Sequence, residues 1–137
     1  MLESFDFLYM PSRDVARDLA FYEDVLGAET VFAIERFGTR VAEVRLSGDG
    51  PRILLAEHIE GDAPVLLYRV AELAPAVAEL EGRGLEFEMT FGFPYGDGAL
   101  FHAPGGQRLA IYELTRPDRG DGIRGRLDFE PKRESVT

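Results

Sequence analysis

The feature that most constrains this chain is that it repeats itself. The run SRDVARDLAFYEDVLG, with Val15, Leu19, Tyr22 and Leu26 at helical spacing, follows the apolar strand FDFLYM. From Pro64 the order returns: PVLLYRV reads as a strand, and AELAPAVAELEGRG as a helix with Leu73, Val77 and Leu80 on one face. A shift of 58 carries Asp14 onto Glu72 and Phe7 onto Val65. A shift of 56 carries Arg52 onto Arg108, Leu54 onto Ala110 and Glu57 onto Glu113. Each half reads as strand, helix and three strands. A half this small cannot readily bury its own sheet, so two halves are expected to share one.

The spacing predicts helices near 13–26 and 72–83. Ser12 is the expected N-cap and Gly27 the stop of the first, and Pro75 falls in the first turn of the second, where a missing N–H costs little. TVFAIERF, TRVAEVRL and RILLAEH complete the first half as strands. EFEMTFGF, GALFHA and RLAIYEL complete the second as strands, and the stretch FGFPYGDG is glycine-rich. That stretch has no G-x-G-x-x-G order and precedes a strand, which argues against a phosphate loop.

Composition narrows the function classes. The net charge is −10. From Arg116 onward six cationic side chains balance five carboxylates, so the acidity resides in the first 115 residues. Such a domain repels a phosphate backbone, and no nucleic-acid partner is expected. A cationic or neutral small ligand is easier to accommodate. No apolar run reaches the roughly 20 residues of a membrane span, and no basic then apolar leader opens the chain. With no cysteine there is no disulfide and no thiolate ligand. A cytoplasmic protein without a membrane partner is the expectation.

The duplicated unit resembles the vicinal oxygen chelate superfamily, which includes glyoxalase I, extradiol dioxygenases, and fosfomycin- and bleomycin-resistance proteins. The likeness rests on FDFLYMPSRDVARDLAFYEDVLGAE, VLLYRVAELAPAVAELEGRG and HAPGGQRLAIYEL, and covers residues 1–115. It implies an α+β fold of two pseudo-symmetric βαβββ modules, 1–60 and 61–115, in a curved, partly open mixed β-sheet barrel with helices outside. Residues 116–137 are then a C-terminal extension, packed on the outside or on a partner. The resemblance also implies a homodimer.

Metal-using members of that superfamily hold a divalent ion through His, Gln or Glu on the first and last strands of each module. The corresponding positions here are Phe7, Leu54, Val65 and Ala110. Alkyl and phenyl groups donate nothing to a cation, so no metal and no other cofactor is expected. The expected function is metal-independent binding of a small molecule, cationic or aromatic, in an apolar pocket. A divalent-metal lyase, isomerase or dioxygenase with a non-standard site and a protein-interaction module are the alternatives. Whether the chain catalyses a reaction stays open.

The ligand-binding set is Phe7, Tyr9, Leu54, Val65, Phe93, His102, Ala110 and Tyr112. The aromatic members either fill the core or line the pocket. Arg52 and Arg108 share the parity of Leu54 and Ala110. Each pairs with a carboxylate, binds an anionic ligand group or sits at a solvated strand end. By alternation Glu57 and Glu113 face the other way, as solvated outer-face or rim carboxylates. His58 and His102 are rim residues or acid–base groups at the pocket mouth.

Overall fold

The computed structural model describes residues 1–116 and 122–133. Among the described residues the elements run in the order β1 (Ser4–Pro11), α1 (Val15–Asp24), β2 (Glu29–Arg36), β3 (Thr39–Arg45), β4 (Arg52–Ala56), β5 (Val65–Val70), α2 (Leu73–Gly82), β6 (Met89–Phe93), β7 (Gly96–His102) and β8 (Arg108–Leu114). This is the α+β, twice-repeated βαβββ arrangement that the duplication predicts. The RGD tripeptide at 119–121 lies outside the described residues.

The chain forms two compact units, with the division falling inside β1. The first holds residues 8–64 with 123–133, and its strand order is β2-β3-β4-β1. The second holds residues 1–7 with 65–116, and its strand order is β1-β5-β8-β7-β6. Within each, the long strands pair antiparallel, β2 with β3 and β4 in turn, and β6 with β7 and β8 in turn. β5 and β8 run parallel, and the intervening chain supplies the crossover that a parallel pair requires.

Each helix covers one sheet face. In the first unit Val15, Ala16 and Leu19 pack on Ala33, Ala42, Val44, Ile53 and Leu55. In the second, Ala76 with Leu73, Val77 and Leu80 packs on Val70, Ala99 and Ile111. By alternation the next residues along each strand face away from the helix. Those away-facing residues include Phe7, Leu54, Val65 and Ala110.

Three local expectations change. The N-cap of α1 is Asp14, whose carboxylate accepts the Arg17 N–H at 3.2 Å, and Ser12 instead donates to Asp18 at 2.5 Å. The stretch Glu86–Glu88 is not strand, and β6 begins only at Met89. β7 begins at Gly96, two residues before the expected strand GALFHA, so the turn after β6 is confined to Pro94 and Tyr95. The glycines there serve close packing. A Cβ on Gly98 would lie 2.5 Å from the Phe91 ring and 2.9 Å from the Ile111 carbonyl.

Glu57 and Glu113 are also reassigned. They do face the helix side, but they are not idle solvated groups. Glu57 accepts the Val15 N–H at 3.0 Å and the Arg40 N–H at 3.3 Å. Glu113 accepts the Leu73 N–H at 2.8 Å. Each carboxylate thus meets the unsatisfied amides and positive end of its own module's helix. In α2 this is the side-chain cap, since Glu72 at the N-cap position makes no cap hydrogen bond.

The described part of the extension, residues 122–133, packs against its own chain. Gly125 donates to Val31, Ala33 donates to Arg126, and Asp128 donates to Ala33, at 2.6, 2.9 and 2.7 Å. Leu127 forms a parallel bridge with Ala33, and Phe129 joins the core under α1.

Replacing Glu113 with alanine is expected to destabilise the fold by about 1 kcal/mol, the worth of a helix cap. Glu57→Ala is expected to cost more, because two backbone amides lose their acceptor. Urea unfolding midpoints compared with wild type check both, and unchanged midpoints would remove the capping role.

Candidate functional site

The faces turned away from the helices are where the sequence-predicted residues gather. In the second unit three of them meet. The Phe7 ring stacks on Tyr95 with centroids 5.0 Å apart, and lies edge-on to Phe93 at 5.8 Å and Tyr112 at 5.9 Å. Phe93 meets Tyr112 edge-to-face at 5.1 Å. All four rings are buried. The Tyr112 hydroxyl donates to the Asp6 carboxylate, which lies 3.7 Å from the Arg69 guanidinium. The cluster therefore has an apolar body and one polar exit.

Val65 and Ala110 continue the same sheet face. β5 and β8 set Leu67 beside Ala110 and Val65 beside Arg108, while β7 sets Leu100 across from Ala110. His102 lies at the far end, across from Arg108 and four residues along β7 from Gly98, the partner of Tyr112. That is roughly 13 Å from the rings at 3.3 Å per residue. Its Nδ1 is 3.1 Å from the Glu88 carboxylate.

Tyr9 and Leu54 belong to the first unit. Tyr9 is buried and meets His58 edge-to-face at 6.0 Å. Burial pushes the Tyr9 phenol above its ordinary pKa and holds the His58 imidazolium below its own.

Leu54 stands in a wall that also contains the residue missed from sequence. Its cross-strand partner is Glu43, and Glu43 pairs across β2 with Phe32. The next row along is Ile34, Val41 and Ala56. All these apolar side chains are buried. Among them the Glu43 side chain is 0% exposed, and its carboxylate lies 3.1 Å from Nη1 of Arg52, which is 27% exposed. A buried carboxylate demands such a partner. Of the alternatives for Arg52, pairing with a carboxylate is the one observed.

The two modules differ at this point. Across from Leu54 stands Glu43, whereas across from Ala110, its duplicate, stands Leu100. The scaffold packs this spot with leucine in one copy, so the charge in the other is not a requirement of folding.

Comparison with solved structures places the architecture. Methylmalonyl-CoA epimerase from Mycobacterium tuberculosis matches with a TM-score of 0.68 and 18% identity, over 83% of this chain and 89% of that one. A hypothetical protein from Bacillus halodurans matches at 0.67 and 15%, over 80% and 93%. A catechol 2,3-dioxygenase matches at 0.59 and 18%, over 84% of this chain and 42% of its own. The chain has the vicinal oxygen chelate fold. No protein-family model matches its sequence, and no curated protein does.

The vicinal oxygen chelate fold raises the question of a divalent ion, and the residues present do not fit one. Phe7, Leu54, Val65 and Ala110 are buried and carry no oxygen, nitrogen or sulfur donor on their side chains. Among the described residues no three His, Asp or Glu side chains gather as an alternative set. Glu57 and Glu113 are occupied at helix termini, and His102 faces Glu88.

Two outcomes follow. Arg52→Met strands the Glu43 charge and is expected to cost about 3 kcal/mol, while Glu43→Leu with Arg52→Met recovers most of it; chemical denaturation of both variants checks this. For His58, the lowered folded-state pKa means that the unfolded chain binds the proton more tightly. Its contribution is present above the ordinary value of 6.5 and is lost as pH falls through the lower folded value. The stability difference between wild type and His58→Asn should therefore shift against wild type on acidification below 6.5.

Proposed function

We propose that this chain binds a small apolar or aromatic molecule without a metal or other cofactor. The observation that carries the reading is the wall of Phe32, Ile34, Val41, Leu54 and Ala56, broken by one ion pair, Glu43 with Arg52. Small-molecule sites are mostly apolar with a few placed polar groups, and this wall has that composition. Alkyl groups at the superfamily's ligand positions support the metal-independent part. The fold supports the small-molecule part, since one structural neighbour was solved with methylmalonyl-CoA bound.

The test has two arms on full-length protein purified without a histidine tag. Elemental analysis is expected to find Zn, Ni, Mn and Fe well below one per chain. A thermal-shift panel of aromatic acids, amides and amines is expected to yield stabilising compounds, and their binding should survive a chelator. Stoichiometric metal, or ligand binding abolished by the chelator, would overturn the metal-independent reading. Binding by no member of the panel would overturn the small-molecule reading. The same preparation in light scattering is expected to give a dimer mass, because open strand edges favour pairing between copies.

A further inference from the structure

We propose that two copies of this chain join edge to edge through β6, the strands running antiparallel about a two-fold axis at Phe91. This rests on the dimer expected above and is independent of the small-molecule reading.

The duplication supplies the comparison. β2 and β6 are the corresponding strands of the two modules, and each is the end strand of its unit. The edge of β2 is closed by the chain itself. Gly125 donates to Val31, Ala33 to Arg126 and Asp128 to Ala33, and the Asp128 carboxylate accepts the Glu35 N–H. β6 has no such cover among the described residues. The turn at Pro94 and Tyr95 makes Phe93 and Gly96 the closing pair of the hairpin with β7. Alternation from there points the N–H and C=O of Phe91 at β7, and those of Thr90 and Gly92 outward. Among the described residues none is hydrogen-bonded to these outward groups.

The strand also lacks the devices that keep an edge unpaired. It reads MTFGF, with no charged side chain and no proline. In a chain of net charge −10, much of the surface repels a copy of itself, and this stretch does not. The charges at its two ends are already engaged. Glu88 faces Nδ1 of His102 at 3.1 Å, while Arg116 donates to the Phe93 carbonyl at 2.8 Å and lies 3.5 Å from Asp97. The sequence is self-complementary as well. A two-fold at Phe91 sets Thr90 opposite Gly92 of the partner subunit, and each such pair exchanges both outward hydrogen bonds. Phe91 then meets its own counterpart at a non-hydrogen-bonded position, where side chains approach most closely. Met89, which is exposed, gains an apolar neighbour across the seam.

The experiment follows self-association of the full-length chain by sedimentation over a concentration series. Thr90→Pro removes an outward N–H that makes no bond to β7, so the fold is expected to stand and the dimer dissociation constant to rise at least about tenfold. Circular dichroism and the urea midpoint check the fold. A second measurement uses the absence of cysteine from the chain. Phe91→Cys, oxidised with diamide, is expected to give a disulfide-linked dimer, since facing residues at the axis lie within disulfide reach. Met89→Cys is expected not to, because the two copies of that position stand roughly 13 Å apart along the seam at 3.3 Å per residue.

A wild-type dimer that Thr90→Pro leaves intact, with no cross-link through Phe91→Cys, would overturn the β6 seam and leave the dimer itself standing. A wild-type monomer throughout the series would overturn both. Equal cross-linking through Met89→Cys and Phe91→Cys would overturn the two-fold at Phe91. If Thr90→Pro fails to fold, the contrast between the two cysteine variants decides: a link through Phe91→Cys alone supports the seam, and no link overturns it.

Discussion

Each half of this molecule depends on a carboxylate at the end of its last strand meeting the start of its own helix. Helix amides without acceptors are costly when partly buried, and Glu57 and Glu113 relieve that cost at Val15 and Leu73. Apolar packing of Val15, Ala16 and Leu19 in one half and of Leu73, Ala76 and Val77 in the other holds each helix to one side of its sheet, and the carboxylate meets its first turn there. With the helix pinned, strand alternation leaves Leu54, Glu43, Ala110 and Tyr112 on the opposite side.

Much of this was legible in the sequence because the chain is duplicated. A pattern seen once is ambiguous, but Val15 and Leu19 recurring as Leu73 and Val77 define helices whose true bounds, Val15–Asp24 and Leu73–Gly82, fall inside the expected spans. The parity of Leu54, Ala110 and Tyr112 was readable by the same logic, since a strand leaves only two directions for a side chain. The fate of Glu57 and Glu113 was not. Facing away from the inner wall was inferred correctly, but their acceptors' partners lie 42 and 40 residues away along the chain.

Glu43 was missed for a related reason. In TRVAEVR it sits in a regular alternation, and a charged residue in such a strand ordinarily marks the solvent face. Burial on both faces breaks that rule. The available signal was Arg52, whose shared parity with Leu54 called for a carboxylate on the neighbouring strand. Ser12 lost the cap to Asp14 because both are good caps, and the choice turned on where the chain leaves β1.

The extension bears on the order in which the chain can become complete. The amide of Glu35 is held by the Asp128 side chain, 93 residues later. Synthesis delivers β2 well before its edge partner, so on the ribosome the outer edge of β2 must wait with its hydrogen-bonding groups unmet. Closing so long a loop is slow relative to forming the local hairpin of β2 and β3. The first module thus has a built-in delay between acquiring its sheet and shielding it. During that interval an exposed strand edge is open to other nascent chains, which places the selective burden on speed of closure as well as on final stability.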